Sequence, residues 1–296
     1  MGKITPHLWF DTEAKEAAEL YTSLFPDSKI KDVTTLHDTP SGDADIVTVE
    51  LAGQEFMLLN AGPYFTFTPA VSLLIACETK KEVDALWAKL SEGGSALMEL
   101  GAYPFSERYG WMQDKYGLSW QVMFTGDQAI TQKITPMLMF VGDNAGKAEE
   151  AIGFYASVFR DAKVGDIMRY EKGEEPEKEG TIKHADFMLE GYAFAAIDSA
   201  YKHEFSFNEA VSFVVSCDTQ DEIDYYWEKL SADPKSEQCG WLKDRYGLSW
   251  QIVPALMNEM FKDKDREKIA RVTKAFLKMK KFDIADLKRA YEEDAR

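Results

Sequence analysis

The sequence predicts an α+β fold of two fused units, each built from two βαβββ modules, followed by a helical extension. Three observations lead there. The stretch Tyr116-Gly117-Leu118-Ser119-Trp120-Gln121 returns as Tyr246-Gly247-Leu248-Ser249-Trp250-Gln251, 130 residues later. Lys3-Ile4-Thr5-Pro6 returns at the same offset as Lys133-Ile134-Thr135-Pro136, so the repeat is bracketed at both ends. Between the brackets, segments of strand period and helix period alternate in the order βαβββ, twice per repeat. The expected domains are 1–128, 131–254 and a helical extension over 255–296.

The elements follow in order. Ile4–Phe10 alternates like a strand, with Leu8 and Phe10 on one face and His7 and Trp9 on the other. Asp11 and Thr12 offer N-cap chemistry for a helix over 13–25, whose stripe is Ala17, Leu20, Tyr21, Leu24 and Phe25. Strands are expected over 30–36, 45–51 and 54–60, the last two joined by a tight turn at Ala52-Gly53. A strand over 71–77, a helix over 80–91 and a strand group ending at 118–124 complete the first repeat.

The second repeat copies this order with a strand over 134–141 and a helix over 147–159. Strands near 164–170, 182–190 and 192–198 follow, and 211–217 and a helix over 222–230 match 71–77 and 80–91. The charged run 171–180, which contains Pro176, reads as a solvated loop. Beyond Pro254, an apolar stripe of Ile269, Val272, Ala275, Phe276 and Met279 marks a helix, and Asp283 is placed to cap a final one. Residues 262–281 hold nine basic and three acidic side chains, a solvated face or a partner contact.

Composition bounds the function. A net charge of −17 argues against a nucleic-acid partner, which would require clustered cations. Three cysteines cannot build a disulfide framework, and Cys77 and Cys217 fall inside apolar runs as small core residues. No apolar run reaches the length of a membrane span, and no signal peptide precedes the first strand, so a cytoplasmic location is expected. No Ser-His-Asp set, phosphate loop or paired carboxylates stand out.

The motifs Ile4-Thr5-Pro6, 14–21 (AKEAAELY), Met279-Lys280-Lys281-Phe282-Asp283-Ile284 and above all 239–254 (CGWLKDRYGLSWQIVP) carry a resemblance. Nearly the whole chain resembles the PhnB-like, demethylubiquinone methyltransferase-like branch of the glyoxalase, or vicinal oxygen chelate, superfamily. The resemblance implies curved sheets enclosing a concave cavity that holds a divalent metal on inward-facing strand residues. The matching positions here are His7 and Met137, Ser72 and Ser212, and Gln121 and Gln251, a set poor in metal donors. The methyltransferase label also lacks support, since the first strand runs into Asp11-Thr12-Glu13 and not a glycine-rich turn.

The leading expectation is therefore a protein that binds a small organic molecule without cofactor or metal. Cavity candidates are His7, Trp9, Asn60, Ser72, Trp111, Gln121, Met137, Met139, Asp198, Ser212, Cys239, Trp241 and Gln251. Cys239 would need a nearby cation to become a reactive thiol. The segments 61–69 and 199–208 are placed to cover a cavity mouth. The alternative is a metal-dependent glyoxalase or thiol-transferase using His7 and Gln121 of the first repeat. A third class is protein interaction through the tail. The duplication implies an internal pseudo-dimer, and pairing with a second copy is left open.

Overall fold

A computed structural model describes residues 2–39, 42–263 and 265–292, so Lys264 of the basic run and the last four residues lie outside it. The first module is β1 (Ile4–Phe10), α1 (Ala14–Leu24), β2 (Lys29–Thr39), β3 (Gly42–Leu51) and β4 (Gln54–Asn60). The second is β5 (Val71–Cys77), α2 (Lys80–Leu90), β6 (Ser95–Tyr103), β7 (Ser106–Gln113) and β8 (Ser119–Phe124). The third is β9 (Ile134–Phe140), α3 (Ala148–Val158), β10 (Lys163–Arg169), β11 (Ile182–Leu189) and β12 (Tyr192–Asp198). The fourth is β13 (Val211–Cys217), α4 (Gln220–Leu230), β14 (Trp241–Lys243) and β15 (Ser249–Pro254). The extension adds α5 (Leu256–Met260), α6 (Arg266–Phe276) and α7 (Ile284–Glu292). Residues 171–180 contain no strand, as their charge and Pro176 predict.

The compact units cut across the repeats. One unit takes the chain up to Thr22, Ser28–Phe65 and everything from Asn208 on; the other takes Ser23–Asp27 and Thr66–Phe207. The first unit thus joins the opening module of repeat one to the closing module of repeat two, in a seven-stranded sheet ordered β14-β15-β13-β1-β4-β3-β2. The second joins the two middle modules in an eight-stranded sheet, β10-β11-β12-β9-β5-β8-β7-β6. The ranges 1–128 and 131–254 are therefore repeats of sequence and not units of space. The cause is pairing at the seams: β1 runs antiparallel to β13, with His7 opposite Ser212, and β5 antiparallel to β9, with Ser72 opposite Met137.

The repeated hexapeptide is architectural. In each copy a buried aspartate two residues before the tyrosine, Asp114 or Asp244, organises the turn into the last strand. Asp114 Oδ1 accepts from the Tyr116 and Leu118 backbone N–H groups at 2.9 and 3.0 Å, and Oδ2 accepts from the Trp120 indole at 2.9 Å. Asp244 does the same for Tyr246 at 2.8 Å, Leu248 at 3.1 Å and Trp250 at 2.9 Å. The intervening glycines sit at φ +85° and +83°, a left-handed conformation that side chains resist. Both tryptophans are fully buried, so each carboxylate fixes a turn and a core anchor together.

The helix ends explain two of the cavity candidates. Asn60 Oδ1 accepts from Ala14 N at 2.7 Å, so the cap of α1 comes from the end of β4 and not from Asp11 or Thr12. Asp198 Oδ1 accepts from Gly146 N and Ala148 N at 2.8 and 3.0 Å, ahead of α3, and its Oδ2 accepts from Ile182 N at 2.9 Å. Burial raises the Asp198 carboxyl while those three donors pull it down. Both side chains satisfy backbone donors that would otherwise be stranded.

The fourth module is shorter than its counterpart. Where β6 pairs with β7, Gly101 opposite Tyr109, residues 232–238 form no strand. The extension fills the gap: Cys239 N donates to Met279 O at 2.9 Å and Gly240 N to Lys280 O at 2.7 Å. Phe282, buried, lies over Gly240, where an added Cβ would meet its ring at 2.5 Å. Met257, Met260, Val272, Phe276, Phe282 and Leu287 are the buried apolar residues of the extension among those described, and Asp283 Oδ1 accepts from Asp286 N at 3.0 Å, the expected cap.

Two stability predictions follow from these contacts. Asp244→Ala strands three buried donors at about 1–3 kcal/mol each, so the urea midpoint should fall by the equivalent of several kcal/mol, with Asp244→Asn in between. Gly240→Ala should lower the midpoint as well, and pairing it with Phe282→Ala should relieve the clash without restoring wild-type stability, because the ring's own burial is lost.

Candidate functional site

Each sheet carries one cluster of the predicted residues, and the two clusters are pseudo-equivalent. In the second unit Ser72, Gln121, Trp111, Met137 and Met139 come together. In the first unit the matching positions hold Ser212, Gln251, Trp241, His7 and Trp9. Each cluster thus draws on both repeats. His7 lies in the seven-stranded sheet and Gln121 in the eight-stranded one, each within its own cluster.

The second unit's cluster is closed by its own side chains. Gln121 Nε2 donates to Ser72 Oγ at 2.6 Å and reaches Met137 Sδ at 3.3 Å. Its Oε1 accepts from the Tyr109 hydroxyl at 2.7 Å, and burial pushes the Tyr109 phenol well above its usual range. Trp111 Nε1 donates to Ser119 Oγ at 2.8 Å. Leu74, Tyr109, Met137 and Ala195 pack as one buried apolar group. The polar groups are spent on one another, leaving little for a ligand.

The first unit differs at three points. Cys239 takes the Tyr109 position in sequence but lies in a turn at φ +51°, with Sγ accepting from Gln238 Nε2 at 3.7 Å, so the Tyr109 hydroxyl has no counterpart there. His7 stands where Met137 does, buried to 3% exposure, with no hydrogen-bond partner for Nδ1. Ser249 Oγ, the counterpart of Ser119 Oγ, is also buried without a partner, so the bond made by Trp111 is not repeated by Trp241. The Trp241 ring instead stands edge-on to His7 at 5.5 Å and to Trp9 at 6.0 Å. Gln251 Nε2 donates to Ser212 Oγ at 3.0 Å, preserving that part of the pattern.

The aromatic wall continues into the segment after β4. Trp9 Nε1 donates to Gly62 O at 2.8 Å, and Phe65 and Tyr64 meet the Trp9 ring at 5.0 and 6.4 Å. Trp9 and Trp241 are half-buried while His7 is buried. The face is therefore an aromatic rim over a base with two unpaired polar atoms. Tyr64 and Phe65 belong to the segment 61–69 expected at the cavity mouth, whereas Tyr109 and Ser249 are site residues that sequence reasoning passed over, although Ser249 and Ser119 sit inside the repeated hexapeptide.

The electrostatics are those of a neutral pocket. Desolvation lowers the His7 imidazole from 6.5 to about 3, so it stays uncharged. Cys239 is not activated: burial raises its thiol, and Lys243 is engaged with Glu209 at 2.8 Å. The donor set does not fit a divalent metal, since His7 has only Ser212 and Gln251 beside it in the cluster. Among the described residues no group of three or more His, Cys, Asp or Glu side chains converges. After β1 the chain runs into Asp11-Thr12-Glu13 and the start of α1, where Asn60 Oδ1 takes the Ala14 N–H.

His7 supplies a pH test with a definite sign. The unfolded chain takes up a proton below 6.5, the folded chain only near 3, so this group's contribution is complete above 6.5 and is lost as pH falls through that window. His7→Met installs the residue of the other unit. The stability of wild type relative to this variant should drop by about 1.4 kcal/mol per pH unit across the window, measured by urea unfolding. A constant difference would disprove a buried neutral imidazole.

The family described as 3-demethylubiquinone-9 3-methyltransferase matches residues 2–123 and again residues 132–253. The PhnB protein of Bacillus cereus is 43% identical over 42% of this chain and 99% of its own, with a TM-score of 0.39. Glyoxalase I from Zea mays is 12% identical over 86% of this chain and 95% of its own, with a TM-score of 0.52. A dioxygenase-type protein from Bacillus subtilis is 9% identical over 86% and 85%, with a TM-score of 0.51. The last two likenesses concern the fold alone. No curated protein matches. Among the described residues no helix is long and apolar enough to cross a membrane.

Proposed function

The chain belongs to the family described as 3-demethylubiquinone-9 3-methyltransferase, in two copies with a glyoxalase-like fold, and from that premise we propose that it binds a small organic molecule. The binding face is that of the first unit, bounded by His7, Trp9, Trp241, Ser249 and Gln251. The observation that carries this reading is the pair of unpartnered buried atoms, His7 Nδ1 and Ser249 Oγ, under an aromatic rim. The second unit, with the same strands, satisfies its equivalents internally.

Chemistry narrows the ligand. Tryptophan and phenylalanine faces favour a flat or aliphatic body, and one or two polar groups on it would meet the imidazole and the hydroxyl. A charged group is disfavoured, because the imidazole resists protonation and no cation lies in the cluster to offset desolvation. Methyl transfer is not the favoured activity, since neither a glycine-rich turn nor an open helix terminus follows β1. The alternative, a metal-dependent glyoxalase or thiol-transferase reaction, draws only on the free Nδ1 of His7 and lacks carboxylate ligands.

Native mass spectrometry of gently purified protein, with metal content measured on the same sample, separates the two. The expected result is a metal-free chain carrying an organic mass that disappears in Trp241→Ala and weakens in His7→Met. Stoichiometric divalent metal that is lost in His7→Ala would replace this reading with the enzymatic one.

A further inference from the structure

A second site lies in the first unit, away from this face. Edge strand β2, helix α6 and the residues flanking that helix line a half-open groove of about 1140 Å³. We propose that it binds a small amphipathic anion, a single carboxylate or phosphate headgroup on an apolar body. Val33 of β2, Ile269 of α6 and Leu277 at its C-cap supply apolar lining for an aliphatic chain. Arg266, Lys274 and Lys278 supply positive charge on the same wall.

Three features set this wall apart from an ordinary solvated helix. First, Arg266, Lys274 and Lys278 form no ion pair among the described residues, although the chain carries a net charge of −17. The carboxylates that share the cavity are engaged: Asp32 accepts from Thr34 Oγ1 at 2.8 Å, and Asp263 holds Lys268 and the Tyr291 hydroxyl. Second, the helix dipole explains lysines near the end of α6 but not Arg266 in its first turn, where a cation is unfavourable. Arg266 and Lys274, two turns apart on α6, and Lys278, just past its C-terminus, instead line the same cavity. Third, Thr273 is 4% exposed, lines the cavity and has no partner for Oγ1. A buried hydroxyl left unpaired costs about 1–3 kcal/mol, and an anionic oxygen would accept its proton.

Unpaired cations, an unpaired hydroxyl and apolar lining on one wall describe a receptor for a detergent-like anion. At about 1140 Å³ the groove is slightly larger than the typical ligand cavity of about 300–1,000 Å³, room enough for a chain of moderate length. Screening predicts that affinity falls as salt rises.

Calorimetric titration of the full chain with dodecanoate and dodecyl phosphate, both below micelle formation, tests the proposal. One saturable site is expected for at least one of them, and the tighter ligand identifies the headgroup. Lys274→Gln with Lys278→Gln should weaken it about tenfold, and Thr273→Val by about threefold. Trp241→Ala, in the other cluster, should leave the affinity unchanged. Three results would overturn it: no saturable site for either anion, equal binding of dodecyltrimethylammonium, or a loss in Trp241→Ala with none in the lysine variant. The last would move the anion to the aromatic face.

Discussion

Two buried carboxylates set the geometry on which the rest depends. Asp114 and Asp244 each gather two backbone donors and an indole into one turn, and the strand that leaves that turn has its register fixed by the buried tryptophan. Because side chains alternate along a strand, fixing Trp120 or Trp250 on one face sends the next residue, Gln121 or Gln251, to the other. The glutamine then meets Ser72 or Ser212 on the neighbouring strand. The most repetitive piece of the sequence is thus a positioning device, and the chemistry sits beside it. A family signature of this kind marks the fold more than the reaction.

On that common frame the two clusters have diverged by few side chains. Tyr109 and Met137 close one, while His7 and Ser249 leave the other with unpaired polar atoms. Removing a phenol takes away both a hydrogen bond and a ring's volume. Introducing an imidazole into a dry setting adds a polar atom that the protein does not satisfy. Internally matched polar networks add rigidity, whereas unmatched ones persist at a cost that some function has to justify.

Much of this was legible in the sequence. The module order follows from hydrophobic period, and the first helix, expected over 13–25, spans Ala14–Leu24. The strand partners were not legible, for a physical reason. Val71–Cys77 and Val211–Cys217 have nearly the same apolar pattern, so β1 could pair with either without changing which side chains are buried. Sequence cannot choose between closing each repeat on itself and exchanging halves. Asn60 and Asp198 were misleading because a polar residue at a strand end serves a ligand or a helix terminus equally well. His7 and Trp241 were recognised, but their contact depends on that unreadable pairing.

The short fourth module has a consequence for how such a chain could have arisen. A repeat that lost one strand of a hairpin would present bare backbone donors at the edge of its sheet, inviting other chains to pair there. Here Met279 and Lys280 supply the missing acceptors, from a segment that has no counterpart in the first repeat. The extension and the shortened hairpin are therefore coupled through these two bonds. It also means that a homologue could hardly lose its last helices alone. Loss of the extension and regrowth of the hairpin should occur together, as one inherited exchange.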